Sequence, residues 1–343
     1  MKRLFFFMFL VIIILFSANS LVFCQDIENR TEIQKAETHE AAAKEHNTRK
    51  YSFGIAPLFG IVHGQSIELV YPTNTKGKFL SELLWDIKPV FYLGLEFEVK
   101  PKKIMNELGF LASAAVKIGI PGDTGIMEDR DWQSIENNAL TNFSSHTNKT
   151  NEFYWIDLVA GISVPLKYSY IAPYISGSWM RFSFAGRDGY RRYARTSGKG
   201  TYYPINDNPD TGDFTGKVIE YEQNWFLLAP GFTIGTDILS PFSFNLSFQI
   251  SPLIYCMAVD QHLLIGDTYY DFTSFGLFLE PKINVSYKFK MLDFSLEFAY
   301  RYINSRGKTY KRAANSNRDV LVANKSGTGL STIDVRFLLG INF

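Results

Sequence analysis

Between Phe242 and Ser251 the chain reads FSFNLSFQIS, with an apolar side chain at every second position and a small or polar one between. Successive side chains of an extended strand point to opposite faces, so a period of two makes one face apolar and the other polar. The same period returns downstream. Ile283, Val285, Tyr287 and Phe289 alternate with Asn284, Ser286, Lys288 and Lys290. After a tight turn near Met291 it resumes as Phe294, Leu296, Phe298 and Tyr300 against Asp293, Ser295, Glu297 and Arg301. Ile333, Val335, Phe337, Leu339, Ile341 and terminal Phe343 carry it to the C-terminus. One lipid-facing and one lumen-facing row per strand is the pattern of an outer-membrane barrel.

Composition agrees. Aromatic residues make up 16% of the 343 residues, among them thirty Phe and nineteen Tyr, while the mean hydropathy of −0.06 is too polar for a bundle of membrane helices. No stretch after the N-terminus offers the ~18 continuous apolar residues of a spanning helix. A net charge of +1 suggests neither nucleic acid nor an acidic partner. The two cysteines, Cys24 and Cys256, imply no disulfide framework. Lys2 and Arg3 precede the apolar run Leu4–Phe16, and Ala18 and Ser20 stand where a signal peptidase reads. This predicts a signal peptide over 1–20, cleaved between 20 and 25. A polar tail over 25–50 then leads to a barrel over 51–343; Cys24 as a lipoprotein cysteine is the rival reading.

Connection lengths set the topology. Short ones fall near Lys100–Lys103, Pro165–Tyr168, Leu239–Pro241 and Lys290–Leu292. Longer polar ones fall near Thr73–Lys78, Pro121–Thr150, Gly186–Gly216, Asp260–Thr268 and Asn304–Thr328. Four turns at one end and five loops at the other predict an all-β, ten-stranded antiparallel transmembrane β-barrel with long extracellular loops and both termini on the turn side.

Two clusters at the loop end carry chemistry. Asp129 and Asp131 stand two apart in MEDRDW, and Asp260 and His262 stand two apart in DQH. In extended chain each pair shares a face. An aspartate beside a histidine fixes its tautomer and stabilises its cation, and two close carboxylates hold water with at least one pKa raised. Together they suit activation of water against a peptide carbonyl, and no serine or cysteine lies in a nucleophile motif. Acidic surface loops are also common, and the four side chains include metal-ligand types, although the HExxH spacing of zinc enzymes is missing.

The chain resembles the omptins, ten-stranded outer-membrane endopeptidases. The likeness rests on Asp129, Asp131 and Trp132 in the second outer loop and Asp260 and His262 in the fourth. It extends to Asn151–Phe153 and to Arg181–Phe184, and covers roughly 51–343. The resemblance implies an endopeptidase at the cell outer membrane, its site facing outward, with Asp129, Asp131, Asp260 and His262 catalytic. Peptide or protein substrates and outer-membrane lipid are the implied partners. Glu68 matches one of two acids that bind a basic residue before the scissile bond, whereas the other position is Ala258. Arg181 matches a basic residue that grips lipopolysaccharide, the possible activator, while Gly177 and Trp179 replace polar neighbours. No cofactor and no metal are expected. The alternative is a non-catalytic barrel: an adhesin, a channel or a degenerate omptin-like protein. If the lipid-facing parity of Phe242–Ile250 ran on unbroken, Asp260 and His262 would face outward. Pro252, which lacks an amide donor, is the expected site of a compensating bulge.

Overall fold

The computed structural model describes residues 50–71, 80–102, 104–133, 139–196, 205–237 and 239–342. The signal peptide, Cys24, the tail to Arg49, the loop 73–78 and Phe343 lie outside them. The described residues form β1 (Tyr51–Val70), β2 (Ser81–Pro101), β3 (Gly109–Gly119), β4 (Gly122–Asp131), β5 (Asn142–Pro165) and β6 (Tyr170–Tyr193), then β7 (Asp210–Thr236), β8 (Phe242–Ser251), β9 (Ile254–His262), β10 (Asp267–Phe289), β11 (Leu292–Arg312) and β12 (Val320–Asn342).

All pairings are antiparallel. β1 pairs with β2 on one edge and β12 on the other, so the sheet closes and leaves no open edge. β3 and β4 both lie between β2 and β5, and β8 and β9 both lie between β7 and β10. Each couple fills one place, so twelve strands occupy ten places around the ring. The expected ten-strand circuit is present.

One expectation needs correction. Where they are described, the stretches read as long loops contain much strand: β4 and the first nine residues of β5 lie within 121–150, and Asp260 and His262 end β9. Their polar residues sit on both faces, which hides the period of two, yet strand pairing satisfies their backbone groups as well as it does lower down. The four site residues therefore stand on paired strands.

The two interrupted places divide the barrel into tiers. The lower tier, at the height of β3 and β8, carries its apolar residues outward, Phe110, Ile118, Phe242, Ile250, Phe294 and Phe337 among them. β3 has 11 residues and β8 has 10, the length of a tilted strand crossing a bilayer. Inside this tier the charges are paired. Lys117 lies 3.5 Å from Asp157 and 3.4 Å from Asp334, Arg336 contacts Glu297 at 2.8 Å and Glu96 at 3.4 Å, and Arg301 pairs with Glu280. Lys117 and Arg301 also lie over the Trp155 ring, 3.5 and 3.6 Å from its centroid. Above them comes an aromatic layer: Tyr92 packs on Phe153, Phe153 on Phe182, Phe182 on Phe184, Phe184 on Trp85 and Trp85 on Tyr221. This layer is the floor of the upper tier.

Candidate active site

β9 reaches the upper tier by changing its facing. In β8 the buried positions are odd: Ser243, Gln249 and Ser251. After Pro252 and the exposed Leu253 they become even: Ile254, Cys256, Ala258 and Asp260. The break at Pro252 thus turns Asp260 inward, as the missing amide donor of that residue leads one to expect. β10 changes facing at the same height. Glu280 and Phe278 are buried, then Thr273 and Asp271. The register shifts between Thr273 and Gly276, where Phe275 adopts a φ of 62°. Residues opposite each other on paired strands share a face, so β10 must turn with β9. β4 keeps the parity of β3, because Met127 is buried as Lys117 is, despite the irregularity around Gly125.

Asp260 is 2% exposed. Its Oδ2 accepts a hydrogen bond from His262 Nε2 at 2.7 Å, which leaves Nδ1 as the ring nitrogen not engaged by Asp260. The edge of Tyr269 meets the imidazole, with ring centroids 5.1 Å apart. Burial opposes the imidazolium, but Asp260, by charge and hydrogen bond, then Asp129 and Asp131, outweigh it and raise the His262 pKa to about 9.

Asp129 and Asp131 approach from β4, across the ring. Asn142 donates to Asp131 at 3.2 Å, and Gln133 does so at 3.4 Å. Burial raises the pKa of both. For Asp129 the charge of Asp131 adds to the rise and His262 opposes it, so this carboxyl holds its proton well above the usual range.

Glu68 is also inside, at the height of Asp129, since both pair with Leu83. Burial first, then Asp271, Asp260 and Asp129, hold its pKa well above the ordinary value. Asp271 was missed by the sequence reading. It stands directly opposite Ala258, is fully buried and accepts from Thr309. Strict parity from the lower part of β10 would have sent it outward. The signal that finds it is the Pro252 break, because whatever turns β9 turns its partner.

Arg181 lies on the outer wall, gripped by Glu152 at 2.8 Å and Glu222 at 2.9 Å. It does not join the other five residues. A cavity of about 270 Å³ occupies the lower lumen, lined by Glu98, Lys100, Tyr170, Asn245 and Lys288 among others, and none of the predicted site residues borders it. Among the described residues no three His, Cys, Asp or Glu side chains are grouped to hold a metal ion.

A family model described as the Omptin family matches residues 49–343. No curated protein matches the chain. Among solved structures, the outer membrane protease OmpT from Escherichia coli superposes with a TM-score of 0.74 at 20% identity, covering 87% of this chain and 99% of that one. The transport unit of the autotransporter AIDA-I, also from Escherichia coli, covers 88% of this chain and 92% of that one at 11% identity, with a TM-score of 0.34.

Proposed function

The chain belongs to the omptin family, and from that premise we propose that it is an outer-membrane endopeptidase whose groove opens to the cell exterior. The observation that carries the reading is the Asp260–His262 hydrogen bond of 2.7 Å on the wall opposite Asp129 and Asp131. His262 is the general base. A water held between His262 Nδ1 and the Asp129–Asp131 pair attacks the peptide carbonyl, and Nδ1 takes its proton. Asp260 holds the ring and stabilises the imidazolium that forms. Asp129, which keeps a proton that its neighbour repels, donates to the oxyanion or to the water while Asp131 accepts. The imidazolium then returns its proton to the leaving amine, so no side chain is acylated. Glu68, on the groove floor, attracts a basic residue before the scissile bond.

The membrane reading rests on the outward apolar side chains of the lower tier and on a closed sheet, which satisfies its backbone hydrogen bonds without water. Lipopolysaccharide is the proposed activator, and Arg181 its proposed anchor. A lipid phosphate there has to displace Glu152 or Glu222 from the guanidinium.

The test is cleavage of a peptide library by the purified barrel folded in detergent, with a shift in gel migration between unheated and boiled samples as proof of folding. Serine- and cysteine-directed covalent inhibitors should leave cleavage intact. A folded barrel that cuts no peptide, with or without lipopolysaccharide, is the non-catalytic alternative.

A further inference from the structure

A single hydrogen bond fixes one nitrogen of the His262 ring and leaves the imidazole free to rock about the line from Nε2 to Asp260. The neighbouring strands close that freedom. Residues opposite each other on paired strands share a face, and three such couples meet here. Asp260 stands opposite Tyr269 and His262 opposite Asp267 across β9 and β10, and Tyr269 stands opposite Lys311 across β10 and β11. All five side chains therefore share one patch of the inner wall. The Tyr269 ring meets the imidazole at 62°, with centroids 5.1 Å apart, an edge contact that favours one ring orientation. Lys311 hydrogen-bonds the Tyr269 hydroxyl, and its Nζ lies 5.4 Å from the centre of the phenol ring. Asp267 Oδ2 holds that ammonium at 2.5 Å. The circuit runs from Asp260 through His262, Tyr269 and Lys311 to Asp267, which brings it back beside His262.

We infer that Tyr269 is a positioning residue for His262: anchored by Lys311, its ring confines the imidazole to the plane in which Nε2 stays on Asp260 and Nδ1 stays free. The inference rests on the endopeptidase reading for its effect on catalysis, whereas the orientation of the ring stands apart from it. Stability alone does not account for the circuit. The Lys311 side chain is 32% exposed, and ion pairs as open as that contribute little. What the pair supplies is a fixed phenol, because Lys311 donates to Tyr269 while Asp267 holds the lysine. Groups that act on a substrate need their orientation held to about 10–20°. A phenol set between the imidazole and a tethered lysine provides that.

Charge and orientation predict opposite shifts when this brace is cut. The titratable groups facing the imidazole are Asp260 from β9, Asp129 and Asp131 from β4, and Tyr269 and Asp267 from β10. Lys311 of β11 stands behind the phenol, and β7 presents the apolar Ile219. Burial opposes the imidazolium, and Asp260 leads the carboxylates that nonetheless raise its pKa to about 9. Removing the Lys311 ammonium takes away a cation and frees Asp267, and both changes favour the imidazolium. Loss of the ring's orientation weakens the bond to Asp260 and disfavours the imidazolium. A lower His262 pKa in a Lys311 variant is thus the mark of the brace.

The experiment follows the His262 ring by nuclear magnetic resonance in the full chain, folded in detergent with labelled histidine. The resonance is assigned by its absence from His262→Ala. In the native protein the neutral ring should be the tautomer protonated at Nε2, and it should titrate near 9. Tyr269→Leu and Lys311→Met should lower that midpoint toward the usual ~6.5 and mix the two tautomers. For Tyr269→Leu kcat should fall by about 10²-fold, the cost of a misplaced catalytic group, with KM unchanged. Tyr269→Phe keeps the ring edge and should recover most of that loss. Its remaining effect should not add to that of Lys311→Met, since both remove one hydrogen bond. An unchanged His262 midpoint and tautomer in folded, heat-modifiable Tyr269→Leu overturns the inference, and so does a midpoint that fails to fall in Lys311→Met. Should Tyr269→Leu not fold, the Lys311→Met shift decides. A shifted ring in a protein that cuts no peptide spares the brace and sinks the endopeptidase reading, whereas native kcat in Tyr269→Leu does the reverse.

Discussion

The lower and upper lumens of this barrel are both rich in charge, yet they handle it in opposite ways. Below the aromatic layer Lys117, Arg301 and Arg336 each meet a carboxylate. Above it Glu68, Asp129, Asp260 and Asp271 all keep a buried oxygen without a donor among the described residues. Paired charges fill a lumen, because each partner offsets the other's desolvation. Glu68, Asp129 and Asp271 have no cationic partner among the described residues, and burial first, then neighbouring carboxylates, raises their pKa values, the mark of groups ready for something that comes and goes. The contrast separates what holds the ring together from what is proposed to act on a substrate.

The largest test of this contrast is His262→Ala. Loss of a general base should lower kcat by ~10²–10⁴-fold while the barrel still shows heat-modifiable migration. Asp129→Ala should cost a similar factor, and the double variant should be little worse than the worse single one, because both act on one step. Retained cleavage by purified His262→Ala protein would remove the site from the upper tier altogether.

The mirror experiment lies below. Glu280→Ala leaves the buried Arg301 without its carboxylate and should cost ~3–5 kcal/mol of stability, read as a lower unfolding midpoint in urea. Peptide cleavage per folded molecule should stay near native. Unchanged stability would mean that the lower network is not structural.

Titration should drive the two properties apart. In the proposed mechanism cleavage needs neutral His262, so its rise with pH should be displaced from the usual ~6.5 toward about 9. Stability should run the other way. The raised His262 pKa contributes stability fully present below ~6.5 and lost as pH climbs through about 9. The raised pKa of Asp271 likewise favours the native state at acid pH, and that contribution fades between ~3.9 and about 6. Thermal midpoints should therefore fall from pH 4 to pH 9 while activity increases. A cleavage profile that titrates near the ordinary histidine value would mean that Asp260 does not hold the ring as described.

The smallest expected effect is that of Glu68→Gln. It should leave the chemistry intact and flatten the preference for a basic residue before the scissile bond in a library profile. An unchanged profile would show that the floor of the groove does not read the substrate.

Much of this was legible in the chain because a barrel writes its geometry as a period of two. The alternation at Phe242–Ile250 and at Ile333–Ile341, together with the lengths of the connections, determined an antiparallel ring of ten places, its turn end and its loop end. The pairs Asp129–Asp131 and Asp260–His262 were legible because i and i+2 share a face wherever the chain is extended. What the sequence could not determine was which face. Parity counted from the lower tier places Asp260 and Asp271 outward, and only the register breaks after Ser251 and near Phe275 turn them in. A bulge moves a whole row of side chains by one step, and its position is settled by how two neighbouring strands pair, a property that neither strand contains alone. Asp271 is the plainest case. Its partner across the groove, Glu68, lies on a strand distant in sequence, and only closure of the ring brings the two carboxyls together.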